Sequence, residues 1–277
     1  MDYDLRRSGR IRDSSLIRVA AVGDLHAGRE SRGQLRPLFG DLAARADLLL
    51  IAGDLTQHGL LEEGRVLAEE LGNLGVPTVA VLGNHDYQDN ADAKIRDVCE
   101  TNGIRTLEGE SLHIDVDGCR VGVAGVKGFG GGFAGACGTE FGEPEMKAFV
   151  HHSKQLAARL RTELSRLDGD VRIALTHYSP IKDTLMGERL EIYPFLGSYL
   201  LSEAIDEAAC DFAVHGHAHR GVEHGVTSGG VPVRNVARTV IRAAYKIYCV
   251  HVRGAGDVRL TDAQRLPEVV DPRISAP

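Results

Sequence analysis

The sequence predicts an α/β fold organised around a largely parallel sheet. Two observations predict it. In roughly the first hundred residues, short apolar runs of strand length alternate with stretches of helical periodicity, the rhythm of βαβ units. Five apolar runs, at residues 17–22, 48–52, 78–82, 171–176 and 212–214, each lead into a polar cluster containing Asp, Asn or His. In an open α/β sheet the carboxyl ends of the strands gather on one edge, where ligands bind. Clusters far apart in the chain can therefore meet.

The elements follow in order. Residues 17–22, 48–52 and 78–82 read as buried strands, because each is a short, mostly apolar run ending in turn-forming or polar residues. Between them, residues 34–46 and 60–71 carry helical periodicity, and Gly72 is placed for a left-handed cap after the second. Residues 89–101 predict a third helix. Residues 112–117 and 120–126 predict a hairpin, since Asp117-Gly118 suits a two-residue turn. A long helix is expected over 143–167, where Met146, Phe149, Val150, Leu156, Leu160 and Leu164 form an apolar stripe. Two buried strands, 171–176 and 212–214, and two closing strands, 231–236 and 245–252, complete the pattern. Residues 127–142 break it with seven glycines, and the aromatic rings of Phe129 and Phe133 favour a mobile flap near a site over a plain linker.

The 277 residues suffice for one large domain or two small ones. Without a repeat or linker, one domain is expected over residues 15–266, with a flexible N-terminus at 1–14 and an irregular, proline-bearing tail at 267–277. The longest unbroken apolar run, residues 48–52, is far shorter than the ~18 residues of a membrane span. Five cysteines without a C-x-x-C spacing argue against a disulfide framework and for a reducing compartment. Arg6, Arg7, Arg10 and Arg12 are followed by no apolar stretch of the kind a leader needs, so a cytoplasmic location is expected. The net charge of −7 disfavours a nucleic-acid clamp.

Five motifs carry the chemistry: Asp24-x-His26, Gly53-Asp54, Gly83-Asn84-His85-Asp86, a lone His177, and Gly216-His217-x-His219. Carboxylate, amide and imidazole donors without a thiol suit Mn, Fe or Zn and disfavour a structural thiolate zinc site. Asp24 and His26, two apart on an extended segment, can hold one ion. His217 and His219 can serve one ion or two. Asp54 can bridge a pair of ions ~3.5–4 Å apart, a clamp suited to displacement at phosphorus.

In this order the motifs resemble those of the calcineurin-like metallophosphoesterase superfamily. The resemblance implies an α/β fold of metallophosphoesterase type, an αββα sandwich of two mixed β-sheets flanked by helices. It implies two divalent or mixed-valence ions (Mn, Fe or Zn), one held by Asp24, His26, Asp54 and His219, the other by Asp54, Asn84, His177 and His217. It further implies a metal-bridging hydroxide as nucleophile, His85 as the acid on the leaving oxygen, and Asp86 orienting His85. The expected substrate is a small organophosphate, either a phosphodiester or nucleotide-like. Gly53-Asp54-Leu-Thr and Gly83-Asn84-His85-Asp86 look most like the bacterial cyclic-nucleotide and glycerophosphodiester phosphodiesterase group. The chain lacks the G-D-x-V-D-R-G pattern of protein Ser/Thr phosphatases, and Gln57 stands where purple acid phosphatases carry an iron-binding tyrosine. The alternatives are a nuclease of the same superfamily and an inactive protein-binding scaffold. A scaffold should have lost ligands that this chain keeps.

The other histidines, His58, His113, His151, His152, His224 and His251, are expected to be structural or solvated, and His215 to sit behind the ligands. Tyr178, Lys182, Tyr193, Phe195, Arg238 and Arg242 are expected to serve packing or surface charge.

Overall fold

The structure is a computed structural model; it describes residues 15–252 and the backbone of residues 261 and 262. Two six-stranded mixed sheets form its centre. The first is built on β1 (Leu16–Val22), β2 (Leu48–Ala52), β3 (Thr78–Val81) and β4 (Ile104–Thr106), all parallel. The second is built on β5 (Glu110–Val116), β6 (Cys119–Val126), β9 (Val171–Thr176), β10 (Phe212–His215), β11 (His224–Val226) and β12 (Pro232–Asn235). There β6, β9, β10 and β12 run parallel, while β5 and β11 close the edges antiparallel. Two further strands extend the first sheet: β13 (Lys246–His251) pairs antiparallel with β1, and β14 (Thr261–Asp262) antiparallel with β13. A small ribbon pairs β7 (Gly132–Phe133) with β8 (Ala136–Cys137).

The largest apolar cluster contains residues from both sheets, among them Val19, Leu50 and Val81 from one and Val121, Ile173 and Phe212 from the other. Burial on both faces, the inner against the other sheet and the outer under flanking elements, explains why β2 and β9 read as near-continuous apolar runs rather than alternating ones. A second cluster fills the outer face of the second sheet, where Leu156, Leu160 and Leu164 of helix Pro144–Ser165 meet Ala124, Ala174 and Leu201. The αββα layering is thus the one the resemblance implied.

Several local expectations are met and several are corrected. Val116 pairs with Cys119, and both Asp117 (φ 51°) and Gly118 (φ 87°) are left-handed, as a type I′ hairpin requires. The single helix expected over 34–46 is instead a 3₁₀ turn, Arg36–Phe39, and a one-turn helix, Leu42–Arg45. Pro37 and Gly40 interrupt the helical run, while Leu35, Phe39 and Leu42 are buried regardless. The third helix starts at Asp92 rather than at 89, because Asn90 is left-handed (φ 53°). Gly72 is extended (φ −68°, ψ 140°), and Asn73 is the left-handed residue. Glycine is needed there for close approach: a Cβ would stand 2.5 Å from Ala68 O and 2.7 Å from Asn102 O. The N-terminal 1–14 and tail 267–277 expectations lie outside the described residues.

Strand register aligns the motif-bearing ends. Val22 is level with Ile51, and Ala52 with Val81, so Asp24, Asp54 and Asn84 emerge side by side. In the second sheet Val126 is level with Thr176, and Leu175 with Val214, which brings His177 and the segment 215–219 to the same edge. Cross-sheet backbone bonds join the two edges: Gly23 N–H donates to Val236 O, and Arg238 N–H to Gly23 O.

Candidate metal centre

Two groups of ligating atoms converge where the sheets meet. Asp24, His26, Asp54 and His219 form one, and Asp54, His177 and His217 the other; within each group the atoms lie no more than 4.8 Å apart. Asp54 belongs to both. Asn84 joins the second group, with Oδ1 2.9 Å from His177 Nε2. All seven residues named from the sequence as ligands are thus gathered, although 195 positions separate Asp24 from His219, whose Nε2 lies 2.9 Å from Asp24 Oδ1. The backbone is bent to achieve this. Asp24 (φ 58°), His26 (φ 45°), Asp54 (φ 48°) and His217 (φ 68°) are all left-handed, a conformation that persists where the surroundings over-determine it and that clusters at functional sites. Gly53 and Gly83 make room beneath. A Cβ on Gly53 would stand 2.5 Å from His177 Nδ1, and one on Gly83 would overlap Asp54.

The donor atoms fit cations. His177 Nδ1 lies 2.9 Å from Ala52 O, a carbonyl that only accepts, so Nδ1 carries the proton. In the neutral ring Nε2 is then a bare lone pair facing Asn84 Oδ1 at 2.9 Å and Asp54 Oδ1 at 3.3 Å. Acceptors turned on one another are reconciled by a cation between them. Burial pushes His217 down to about 3 and lowers His26 as well, keeping both imidazoles neutral as ligation requires. Burial alone would raise the Asp24 carboxyl, but the hydrogen bond and charge of His219 outweigh it and hold Asp24 well below the usual range. The same pairing raises His219 against its own burial. No cysteine belongs to either group.

Residues 17–221 match the family model described as calcineurin-like phosphoesterase. The chain belongs to the calcineurin-like phosphoesterase family. A curated protein of Synechococcus, described as a "Probable cyclic nucleotide phosphodiesterase", is 29% identical over 119 residues. That match spans 39% of this chain and 44% of the relative. Among solved structures, the Mycobacterium tuberculosis phosphopantetheinyl hydrolase PptH superposes with a TM-score of 0.59 at 16% identity, covering 90% of this chain and 98% of the other. The NAD nucleotidase NadN of Haemophilus influenzae gives a TM-score of 0.51 at 15% identity, over 89% of this chain and 49% of the other. At these identities the two structures speak to the fold.

In this calcineurin-like phosphoesterase, His85 and Asp86 part company. His85 reaches the site: its Nε2 is 3.9 Å from Asp54 Oδ2, and its ring centroid is 4.6 Å from that of His26. Its Nδ1 lies 2.7 Å from Gln57 O. The orienting partner of His85 is therefore a backbone carbonyl, not Asp86 as the resemblance implied. Asp86 is fully buried and faces the other way, accepting from the N–H groups of Leu55, Thr56 and Gly83 and from the Thr56 hydroxyl. The N–H groups of Leu55 and Thr56, the two residues after Asp54, together with that of Gly83 claim both carboxylate oxygens, which leaves Asp86 to brace the Asp54 loop. Burial first, and the charge of Asp54 second, push its carboxyl up to about 6.

His215 is buried behind the ligands, against Gly216 O and Thr184 Oγ1, as expected. Tyr178 packs as expected, buried in the second apolar cluster, and in addition its ring lies 4.3 Å from that of His217, a contact no motif announces. The Phe195 carbonyl, 3.4 Å from His217 Nε2, was equally invisible, since any residue type can supply a carbonyl. The glycine-rich segment is a packed wall rather than a mobile flap over 128–133. Gly131 N–H donates to Pro194 O and Gly132 N–H to Gly197 O, and Phe133 is buried.

Glu108 also escaped the sequence reading. Its oxygens accept from Leu82 N–H and Tyr87 Oη, and burial pushes its carboxyl from 4.5 up to about 7. Between those values the folded chain keeps a proton that the unfolded chain has released. Glu108 therefore contributes stability at low pH that is lost as pH rises through 7. Against Glu108→Gln, the wild type is expected to lose about 1–3 kcal/mol of unfolding free energy between pH 4.5 and 8. Urea unfolding across that range checks it; parallel profiles for the two proteins would remove this role.

Proposed function

We propose that this protein hydrolyses a phosphoester bond in a small organophosphate, with a phosphodiester or nucleotide-like substrate preferred. The observation that carries the proposal is Asp54, shared by two convergent ligand groups at one sheet edge. Asp24, His26, Asp54 and His219 would hold one cation, and Asp54, Asn84, His177 and His217 a second, drawn from Mn, Fe or Zn by the hardness of the donors. When bound, such a pair acidifies water and neutralises charge developing on a phosphoryl group in flight. The chain's own contribution is positional. Ala52 O fixes the His177 tautomer, and His217 N–H donates to both Asp24 oxygens, at 3.1 and 3.0 Å, locking the two motifs together. With Nδ1–H held by Gln57 O, His85 in its imidazolium form presents an Nε2–H to the site, delivers that proton to the leaving oxygen and is left as the neutral Nδ1–H ring.

The described Synechococcus relative supports the diester preference, and the net charge of −7 weighs against a nuclease. The test is metal analysis of the purified protein followed by a substrate panel with Mn²⁺. Two equivalents of metal and turnover of bis(4-nitrophenyl) phosphate above 4-nitrophenyl phosphate are expected. Protein that takes up no Mn, Fe or Zn, or that turns over neither ester, overturns the proposal.

A further inference from the structure

Lys127 stands at the end of β6, beside the proposed metal centre. Its carbonyl accepts the N–H groups of both His177 and Tyr178 at 3.0 Å, so its backbone belongs to the same edge as a ligand. Its ammonium does not reach for solvent in the way a surface lysine does. Nζ lies 4.3 Å from the Tyr87 ring, 5.5 Å from Phe129 and 6.0 Å from Tyr178. Tyr87 follows His85-Asp86 in the chain, and the Tyr178 ring lies against His217. The cation is therefore held by aromatic faces one ring away from the ligands.

Aromatic faces offset part of the cost of desolvating an ammonium but accept its hydrogen bonds poorly. Among the described residues no carboxylate lies within 4.0 Å of Nζ and no acceptor is hydrogen-bonded to it. Glu108, the first of the acids whose charge acts on Lys127, has its oxygens engaged by Leu82 N–H and Tyr87 Oη. Burial pushes Glu108 up to about 7, so near neutrality much of its negative charge is quenched. A lysine in this setting is a compact positive charge with N–H donors left for a ligand, the chemistry that binds phosphate as a point charge.

We propose that Lys127 recognises a second phosphate of the substrate, so that the preferred phosphoesters carry an acidic group beyond the one hydrolysed. This rests on the hydrolase reading above. The cation pair of that reading accounts for the charge of the scissile phosphate, and the ammonium sits beside those ligands rather than among them, 6.0 Å from the Tyr178 ring that lies against His217. The ammonium is thus placed for a distal group. Gly128 permits the arrangement: it is left-handed (φ 78°), and a Cβ there would press on Tyr178 Cβ at 3.2 Å and on Leu201 Cδ1 at 3.0 Å.

Phosphonates test this without turnover, because their P–C bonds are not hydrolysed. The Mn²⁺-loaded full chain is titrated calorimetrically with alkane α,ω-bisphosphonates of two to six carbons and with the alkylphosphonate of each length. At one length or more the bisphosphonate is expected to bind about tenfold tighter, a gain of about 1.4 kcal/mol. Lys127→Gln is expected to shrink that ratio to within about twofold, and Lys127→Arg to retain part of it. No gain at any length in the wild type overturns the proposal, whatever the fate of the variants. So does a gain that survives Lys127→Gln, or a loss of affinity for both ligands by one factor, which would assign Lys127 to packing or to the shared phosphate. Turnover of bis(4-nitrophenyl) phosphate reports the hydrolase reading separately.

Discussion

Asp54→Ala is expected to remove both cations at once and to lower turnover of bis(4-nitrophenyl) phosphate below about one thousandth, a loss of about 4 kcal/mol of transition-state stabilisation. Asp54 contributes ligating atoms to both groups, whereas each other member serves one. Its removal also frees His85 N–H, which donates to Asp54 Oδ1 at 2.9 Å, and strips the anion facing His26, His85 and His177. Alanine is additionally strained at φ 48°, by about 1–2 kcal/mol. Asp54→Asn separates the two effects, because asparagine tolerates that conformation and keeps an oxygen but not the charge. Metal content by mass spectrometry and steady-state rates check the expectation. Retention of one full equivalent of metal by Asp54→Ala would show that Asp54 is not shared.

His85→Ala is expected to keep both metals while losing activity in proportion to how poor the leaving group is. General acid catalysis is worth about 10²–10⁴-fold. That whole factor should disappear for alkyl phosphodiesters, whose alkoxide cannot depart unprotonated. The 4-nitrophenyl esters, whose leaving group is stable as an anion, should lose about tenfold or less. A plot of rate against leaving-group pKa therefore steepens in the variant. Equal losses across the series would assign His85 to positioning instead. The geometry makes the contrast clean: the His85 ring is oriented by Gln57 O, a backbone group that the substitution leaves in place.

What could be read without coordinates follows from what strand registry does. Apolar runs that need burial on both faces form parallel strands, and the Asp, Asn and His residues just beyond them are carried to one edge. The gathering of Asp24, His26, Asp54, Asn84, His177, His217 and His219 at one edge was legible for that reason, and so was the placement of His85 beside them. The interrupted helix at 34–46 was not, because apolar spacing there is satisfied equally by two short turns that bury Leu35, Phe39 and Leu42. The partner of His85 was not legible either. Asp86 is adjacent in the chain and chemically suited, but Leu55, Thr56 and Gly83 claim its oxygens.

By itself the sequence determined the α/β class, the strands that matter and the residue types at their ends, since hydrophobic periodicity and side-chain chemistry are local properties. Only the tertiary structure decided which groups face one another. It turned Asp86 away from His85, put Tyr178 against His217, and left the Lys127 ammonium among aromatic rings. Those outcomes depend on backbone carbonyls, ring faces and left-handed turns brought together across two sheets, and such contacts leave no period or motif in a chain.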